Sequence, residues 1–447
     1  MMRRLHAWVA AATAVAAAIC TVVISGCQRA PAGPVEITLQ RFFGACDAQY
    51  GSSIDVESAE GECGIITTLI NRFNARNPDI HVKVNIVYWP GYDQLSAELA
   101  AGDPPDLVTM HESVISDYSQ RKLIIPLDDA FRSAGIDPGS CTRAAREGVM
   151  RNGHVYALPF DNWAPLWHIN MNLFRQAGLV RDGLPILPHS PEELLQQARQ
   201  FTHATGKPYL IQSMVNEPYA YARNLFTFLM QQSSDFFADP RHIKLQTPEA
   251  RRVLQLFKQI DTEGLTTRNQ DYTAATSAFL NGQGGVYLVG TWMIGTYDEA
   301  SKQRGSPLAD GYTVVPYPQL FPGREVTYAD GHSWVVPNAA RSPAKMAAIV
   351  RLLRFLRDND FEWSRTGHLP AYEAVIESAR WRALPHRAAV AKLVDTAEPL
   401  PPGVQRQFLI QQLISEEMEA AITGQKPIDL ALRDAEHRVN DVLFNLL

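Results

Sequence analysis

The sequence predicts an α/β protein with parallel strands covered by helices, and chain enough for two domains. Three observations carry this. From residue 35 onward, short segments of alternating hydrophobicity are followed by segments of helical period, the pattern of a parallel sheet flanked by helices. The chain has 447 residues, and about 420 remain once an N-terminal signal is set aside, too many for one ordinary core. Its side chains are 46% hydrophobic and 20% charged, a globular composition.

The elements follow in order. Arg3 and Arg4 give a basic start, and residues 7–24 are almost wholly apolar and rich in alanine. Small residues then precede Cys27, so residues 1–26 read as a secretory signal peptide. The tetrad Ile24-Ser25-Gly26-Cys27 is similar to a bacterial lipobox, in which the cysteine is acylated and becomes the mature N-terminus. A retained N-terminal anchor with an incidental cysteine is the alternative. On either reading the chain works outside the cytoplasm, tethered to a membrane. Residues 27–35 then form a short lipidated tether.

VEITLQRF reads as a strand, GIITTLINRFNARNP as a helix with Ile65, Ile66, Leu69, Ile70 and Phe73 on one stripe, and IHVKVNIVYW as a strand. YDQLSAELAAG is helical, and DLVTM begins a third strand. Ligands of such sheets sit outside the carboxyl ends of the strands. Further on, PEELLQQARQFTHATG and PEARRVLQLFKQIDTEG are helices with proline at the first position and glycine at the end. GGVYLVG is a short buried strand. SPAKMAAIVRLLRFLRDND is a long amphipathic helix with Ser342 as N-cap, and PIDLALRDAEHRVNDVL a closing helix.

Of five cysteines, Cys20 leaves with the signal and Cys27 carries the lipid. In an oxidising compartment Cys46 and Cys63 are the expected disulfide. Closing that loop stabilises by about 3 kcal/mol in the chain-entropy model. Cys141 is then a buried thiol, or the true partner of one of the two. Neither CxxC nor paired-histidine spacing accompanies them, so no metal and no cofactor is expected. With 41 basic and 47 acidic side chains the balance is mildly negative, whereas a nucleic-acid binder needs a basic domain.

Several stretches resemble family 1 extracellular solute-binding proteins. NGHVYALPFDNWAPLWHINMNLFRQAGL resembles the segment in which a G-x-x-Y-x-L-P turn leads into a strand and helix of the YYNKDLFEKAGL type. AGDPPDLVTM resembles the G-x-x-PD step into the third strand. FLNGQGGVYLVGTW resembles the F-x-x-G-x-A-A-M-x-x-x-G-x-W element, and RTGHLPAYEAVI the T-G-Y-L-P stretch. These occur in the family's order from about residue 36 to the end, nearest the branch of glycerol-3-phosphate- and maltose-binding proteins.

The resemblance implies a two-lobed periplasmic-binding-protein fold of type II. Each lobe is a mostly parallel sheet flanked by helices, and hinge strands join the two. The expected division is residues 36–148 plus 289–341 in the N-terminal lobe and 149–288 plus 342–447 in the C-terminal lobe. It implies a monomer that closes on a sugar, oligosaccharide or polyol and delivers it to the permease of an ABC importer. A glycerol-3-phosphate or glycerophosphodiester ligand is the alternative. No Arg/Lys cluster or Gly-rich cradle stands out, which favours a neutral ligand.

A sugar site needs carboxylates or amides for hydroxyls and aromatic rings for the apolar faces. Glu112 follows the third strand and matches an acidic ligand contact of relatives. Trp163 falls where relatives use a small polar residue, with Asp161 and Asn162 beside it as hydroxyl partners. Trp292 matches a family tryptophan near the hinge, a stacking platform. Asp330, Gly331 and His332 match a small-residue turn that touches ligand by its backbone, and His368 replaces the usual tyrosine. Trp89 and Tyr92 lie at a strand end, and Asp47 sits inside the cysteine loop, which is placed to cap the cleft. The rival class is an exported glycoside hydrolase, which needs two carboxylates, with Glu112, Asp161 and Asp330 as the candidates. No nucleophile elbow, H-E-x-x-H or Walker sequence accompanies them, so an enzyme is not expected.

Overall fold

The computed structural model describes residues 33–445 apart from 216 and 218. The expected signal peptide, Cys27 and most of the tether lie outside those residues. Along the chain come β1 (Val35–Arg41), β2 (Ile80–Ile86), β3 (Leu107–His111), β4 (Ala157–Trp163), β5 (Pro165–Asn170), β6 (Leu210–Ile211), β7 (Val286–Gly290), β8 (Tyr312–Pro316), β9 (Asp330–Val335) and β10 (Leu369–Pro370). They sort into two sheets, ordered β10–β4–β9–β3–β1–β2 and β6–β7–β5–β8. Each sheet is the centre of one lobe.

Among the main helices are α1 (Gly61–Arg76), α2 (Ala220–Gln231), α3 (Tyr272–Leu280), α4 (Pro343–Asp358) and α5 (Gln407–Ile422). The α1 stripe of Ile65, Ile66, Leu69, Ile70 and Phe73 is buried as its spacing predicts. Each such side chain contributes about 1.5–3 kcal/mol on burial. Ser342 caps α4, its hydroxyl accepting from Lys345 N–H at 3.2 Å. Among the described residues no helix is long and apolar enough to cross a membrane.

β1 runs parallel to β2 and β3, as the strand–helix alternation requires. The pairings β3–β9, β9–β4 and β4–β10 are antiparallel. In the second sheet only β6–β7 is parallel. The sheets are therefore mixed, where mostly parallel ones are expected from sequence. β9 enters its sheet from the other lobe and β4 leaves toward it, so no crossover helix sets their direction.

Strand pairing also divides the chain later than the expected boundaries near residues 149, 288 and 340. β4 still belongs to the first sheet, and the chain passes to the second lobe at Ala164. β7 and β8 both pair in the second sheet, so the return falls between Pro316 and Asp330. α4 packs on β1 and β10 joins β4, so the last crossing follows Pro370. Hydrophobic alternation marks a buried strand but not the neighbour it pairs with, and the neighbour decides the lobe.

Cys46 and Cys63 are joined, with Cα atoms 6.0 Å apart. The Arg365 guanidinium fastens the enclosed loop by donating to the carbonyls of Val56, Glu57 and Ala59 at 2.7, 2.9 and 2.8 Å. Cys141 is a buried free thiol whose pKa burial pushes up to about 12.

Candidate ligand-binding cleft

The carboxyl ends of β1, β3 and β4 bring Phe42, Phe43, His111, Asp161 and Trp163 together, and β9, antiparallel to them, adds His332. At the centre lies Asp161, 0% exposed. Its carboxylate accepts from His332 N–H at 3.1 Å, His332 Nδ1–H at 2.9 Å and Trp363 Nε1–H at 2.7 Å. Burial pushes its pKa up, but the charges of His332 and His368 and the bonds to His332 and Trp363 hold it below the ordinary carboxylate range. Burial likewise lowers His332, yet Asp161 overrides it and the imidazole titrates above its ordinary value. The pair is an ion pair inside the floor of the first lobe.

His111 behaves oppositely. It stacks on Phe42 and lies 4.8 Å from the His332 ring. Burial, then the charges of His332 and Arg223, drive its pKa well down. Tyr92 Oη accepts from His111 N–H at 2.9 Å and faces Nδ1 at 2.6 Å, which fits a neutral imidazole accepting there. His368 Nε2 meets Glu62 Oε1 at 2.9 Å, at the start of α1 beside the disulfide, and its Nδ1 meets Thr291 Oγ1 at 3.3 Å. The disulfide loop thus anchors a carboxylate on the floor. Asp161, His332 and His368 bring donor atoms within 4.8 Å of one another, but these atoms already serve the internal hydrogen bonds.

The alternation of β4 turns Asn162 to the opposite face. There Glu112 is buried, with Oε2 accepting from Asn162 Nδ2 at 3.4 Å and Oε1 left without a partner. Burial, then the charges of Asp330 and Asp161, raise its pKa well above the ordinary range. Gly148 and Gly331 make room for it: a Cβ at either would lie 1.9 or 2.6 Å from Glu112 Oε2. Asp330 accepts from Ser113 N–H at 3.0 Å and Ser113 O–H at 2.6 Å, and burial still raises its pKa. Glu112, Asn162, Asp330 and Thr142 line one small cavity with Leu369 and Leu393.

The second lobe supplies the opposing wall. The Trp292 ring meets Trp163 edge-on at 5.5 Å and donates Nε1–H to Tyr272 Oη at 3.0 Å. Gly290 leaves space for that ring, since a Cβ there would stand 1.9 Å from it. From α5, Phe408 packs on His111, Tyr92 and Trp89, and Tyr219 closes against Trp89 and Phe408. From α2, the Arg223 guanidinium lies 4.8 Å over Trp163 and 5.4 Å over Tyr219. Trp163 is 2% exposed, and its Nε1–H has no hydrogen-bond partner among the described residues. The lobes also touch through Asp117, whose two oxygens accept from Arg406 N–H at 3.0 Å each.

Of the residues singled out from sequence, Trp89, Tyr92, Asp161, Trp163, Trp292, His332 and His368 converge on this cleft. Glu112, Asn162, Asp330 and Gly331 sit behind it around the small cavity. Asp47 is exposed at the head of a short helix, and its charge faces Arg41 rather than the floor. Tyr219, Arg223, Tyr272 and Phe408 were not singled out. They stand on second-lobe helices or, for Tyr219, just before α2, where no strand end marks them and helical spacing cannot tell a cleft face from a surface.

Two lobes meeting over a polar floor and an aromatic wall define a binding protein that holds a small polar solute between its lobes. Comparison with known proteins agrees. The family model for bacterial extracellular solute-binding proteins matches residues 68–389, and the chain belongs to that family. It is 25% identical over 417 residues to the sn-glycerol-3-phosphate-binding periplasmic protein UgpB of Salmonella typhimurium, covering 86% of this chain and 91% of that protein. The Escherichia coli K12 protein of that name is 23% identical over 406 residues, with the same coverage. Among solved structures, maltose-bound MalE3 of T. maritima aligns with TM-score 0.76 and 18% identity, covering 92% of this chain and 100% of that one. UgpB of Mycobacterium tuberculosis in complex with glycerophosphocholine aligns with TM-score 0.72 and 17% identity, covering 93% and 99%. The chain is an exported substrate-binding protein of ABC import, with the two-lobed type II fold.

Proposed function

We propose that this protein, held at the membrane by a lipid on Cys27, captures a sugar or polyol as a monomer and delivers it to an ABC import permease. The observation that carries the reading is the pairing of Trp163 and Trp292 across the lobes above a hydrogen-bonded floor. Aromatic faces cover the C–H surface of a sugar, while Trp163 Nε1–H donates to a hydroxyl oxygen. A buried N–H without a partner costs about 1–3 kcal/mol, which a ligand oxygen recovers. Closure then follows from contacts made by both lobes at once.

The names of the relatives bring in a second reading, a phosphorylated glycerol derivative. Binding without turnover is favoured over glycoside hydrolysis. Asp161 has its oxygens taken by His332 and Trp363, and Glu112 lies on the other face of β4. A thermal-shift screen of saccharides, polyols and glycerol phosphates tests the reading. A ligand at 100 times its dissociation constant adds about 2.7 kcal/mol and moves the melting point by degrees. A shift with the compound recovered intact supports capture, consumption of the compound would move the protein to the hydrolases, and no shift with any compound would remove the sugar or polyol assignment.

A further inference from the structure

We infer that Phe408 is a length stop that closes the outer end of the cleft, so that the cargo is a single sugar ring or a polyol of that size; this rests on the sugar or polyol reading of the cleft. The strand order fixes where that end lies. Along the carboxyl edge of the first sheet, Trp163 ends β4, His111 ends β3, and Trp89 and Tyr92 follow β2, the edge strand. Neighbouring strands lie about 4.8 Å apart, so the four steps from β4 to β2 span roughly 19 Å, long enough for more than one sugar ring. Phe408 covers the outer half of that edge. Its ring lies 4.9 Å from His111, 5.4 Å from Tyr92 and 5.9 Å from Trp89. Tyr219 closes against it at 5.0 Å and against Trp89 at 5.4 Å. Rings at such separations are in contact, and no sugar ring fits between them. Beyond them lies solvent, where Tyr88 is 92% exposed.

The inner and outer contacts between the lobes differ in how they are held. Trp292 touches Trp163, but its indole N–H is bonded within its own lobe, to Tyr272, so parting the two rings breaks no hydrogen bond. The chain just before Phe408 is instead fastened to the first lobe, at the short helix Ile115–Gln120. Ser116 O–H donates to the Pro402 carbonyl at 2.6 Å, and both oxygens of the buried Asp117 accept from Arg406 N–H at 3.0 Å. Gln405 Nε2–H donates to Gln120 Oε1 at 2.6 Å, and Arg151 Nε–H steadies Ser116 Oγ at 2.6 Å. Arg406 takes φ +55°, the left-handed region that residues with side chains seldom adopt, and this turn leads directly into α5 and Phe408. The closed state therefore forms with Phe408 seated on the first lobe. A ligand that ends short of His111 leaves this latch whole, whereas one that runs on toward Trp89 must displace Phe408 and forgo the bonds at Asp117 and Ser116. Exclusion by a clash that only the longer ligand meets is how a site discriminates between compounds sharing the same first ring.

The test is titration calorimetry with saccharides of increasing length: glucose, maltose and maltotriose, mannose and mannobiose, xylose and xylobiose, with sorbitol and maltitol as polyols. In at least one series the wild type should bind the shortest member about tenfold or more tightly than the longer ones. Phe408→Ala, which empties the outer end, should shrink that ratio about tenfold, and Phe408→Trp should widen it. Phe408→Leu keeps most of the volume and should keep most of the ratio. Asp117→Ala loosens the latch at a distance from the cargo and should shift the ratio in the same direction as Phe408→Ala. Thermal melts check that each variant is folded. A disaccharide bound by the wild type as tightly as its single ring would overturn the inference while leaving the sugar or polyol reading intact. So would a ratio that survives Phe408→Ala, or a loss of disaccharide affinity in that variant, which would make Phe408 a stacking platform. Binding of none of these compounds would remove the sugar or polyol reading and the length stop with it.

Discussion

The two lobes bring unlike chemistry to the cleft. The first offers a preformed floor: His332 and Trp363 bonded to Asp161, and His368 bonded to Glu62 on α1, with only the His368–Thr291 hydrogen bond reaching the second lobe. The second offers a wall of rings and one cation on helices α2, α3 and α5, held by fewer bonds. The floor should thus govern stability and the wall affinity. A lobe whose polar groups are mutually satisfied cannot adapt without breaking a buried ion pair, whereas rings that meet edge-on can part at modest cost.

The sharpest way to break this contrast is Asp161→Ala. It leaves His332 and Trp363 without their acceptor and should cost about 3–5 kcal/mol in chemical denaturation. The pair stabilises only in a pH window. Asp161 titrates low, so its share is present above about pH 4 and lost as pH falls through its folded value. His332 titrates high, so its share is present below about pH 6.5 and lost as pH rises through its folded value. The deficit of the variant should narrow on both sides; a deficit constant across pH would mean that packing, not charge, holds the floor.

Gly331→Ala comes next, since its methyl would meet the Asp161 carbonyl at 2.5 Å and the Glu112 carboxyl at 2.6 Å. A loss of about 1–3 kcal/mol is expected by thermal melting. Trp292→Ala turns to the wall. Affinity for a ligand found by screening should fall about tenfold while the melting point drops less than for Asp161→Ala. Collapse of the fold instead would assign Trp292 to the core it borders.

Glu112→Gln has the smallest effect near pH 4.5 and a growing one above it. The folded protein keeps Glu112 protonated while the unfolded chain releases that proton, so the wild type loses about 1.4 kcal/mol per pH unit between the two values. The neutral amide escapes this, and its melting point should overtake the wild type as pH rises. Parallel curves for the two proteins would show Glu112 ionised.

Much of the first lobe is readable in the sequence because its cues are local. Strand ends, the stripe of α1 and the Ser342 cap each follow from neighbouring residues. Glu112 shows the limit. Its place after β3 is plain, but whether the side chain faces the cleft or the cavity behind it depends on β4 and on space left by Gly148 and Gly331. Asp47 shows another: it lies near a strand end in sequence, yet a short helix carries it to solvent.

What the sequence determined by itself is the α/β alternation, the Cys46–Cys63 pairing and a set of polar and aromatic residues at strand ends. Each rests on short-range chemistry: period, turn residues, or the reach of two thiols in a short loop. Tertiary structure alone decided which lobe owns β8 and α4, why the sheets are mixed, and that Arg223, Tyr219 and Phe408 face Trp163 and His111. Those are pairings between segments far apart in the chain. Their energy comes from surfaces that exist only after both lobes have folded, so no local pattern records them.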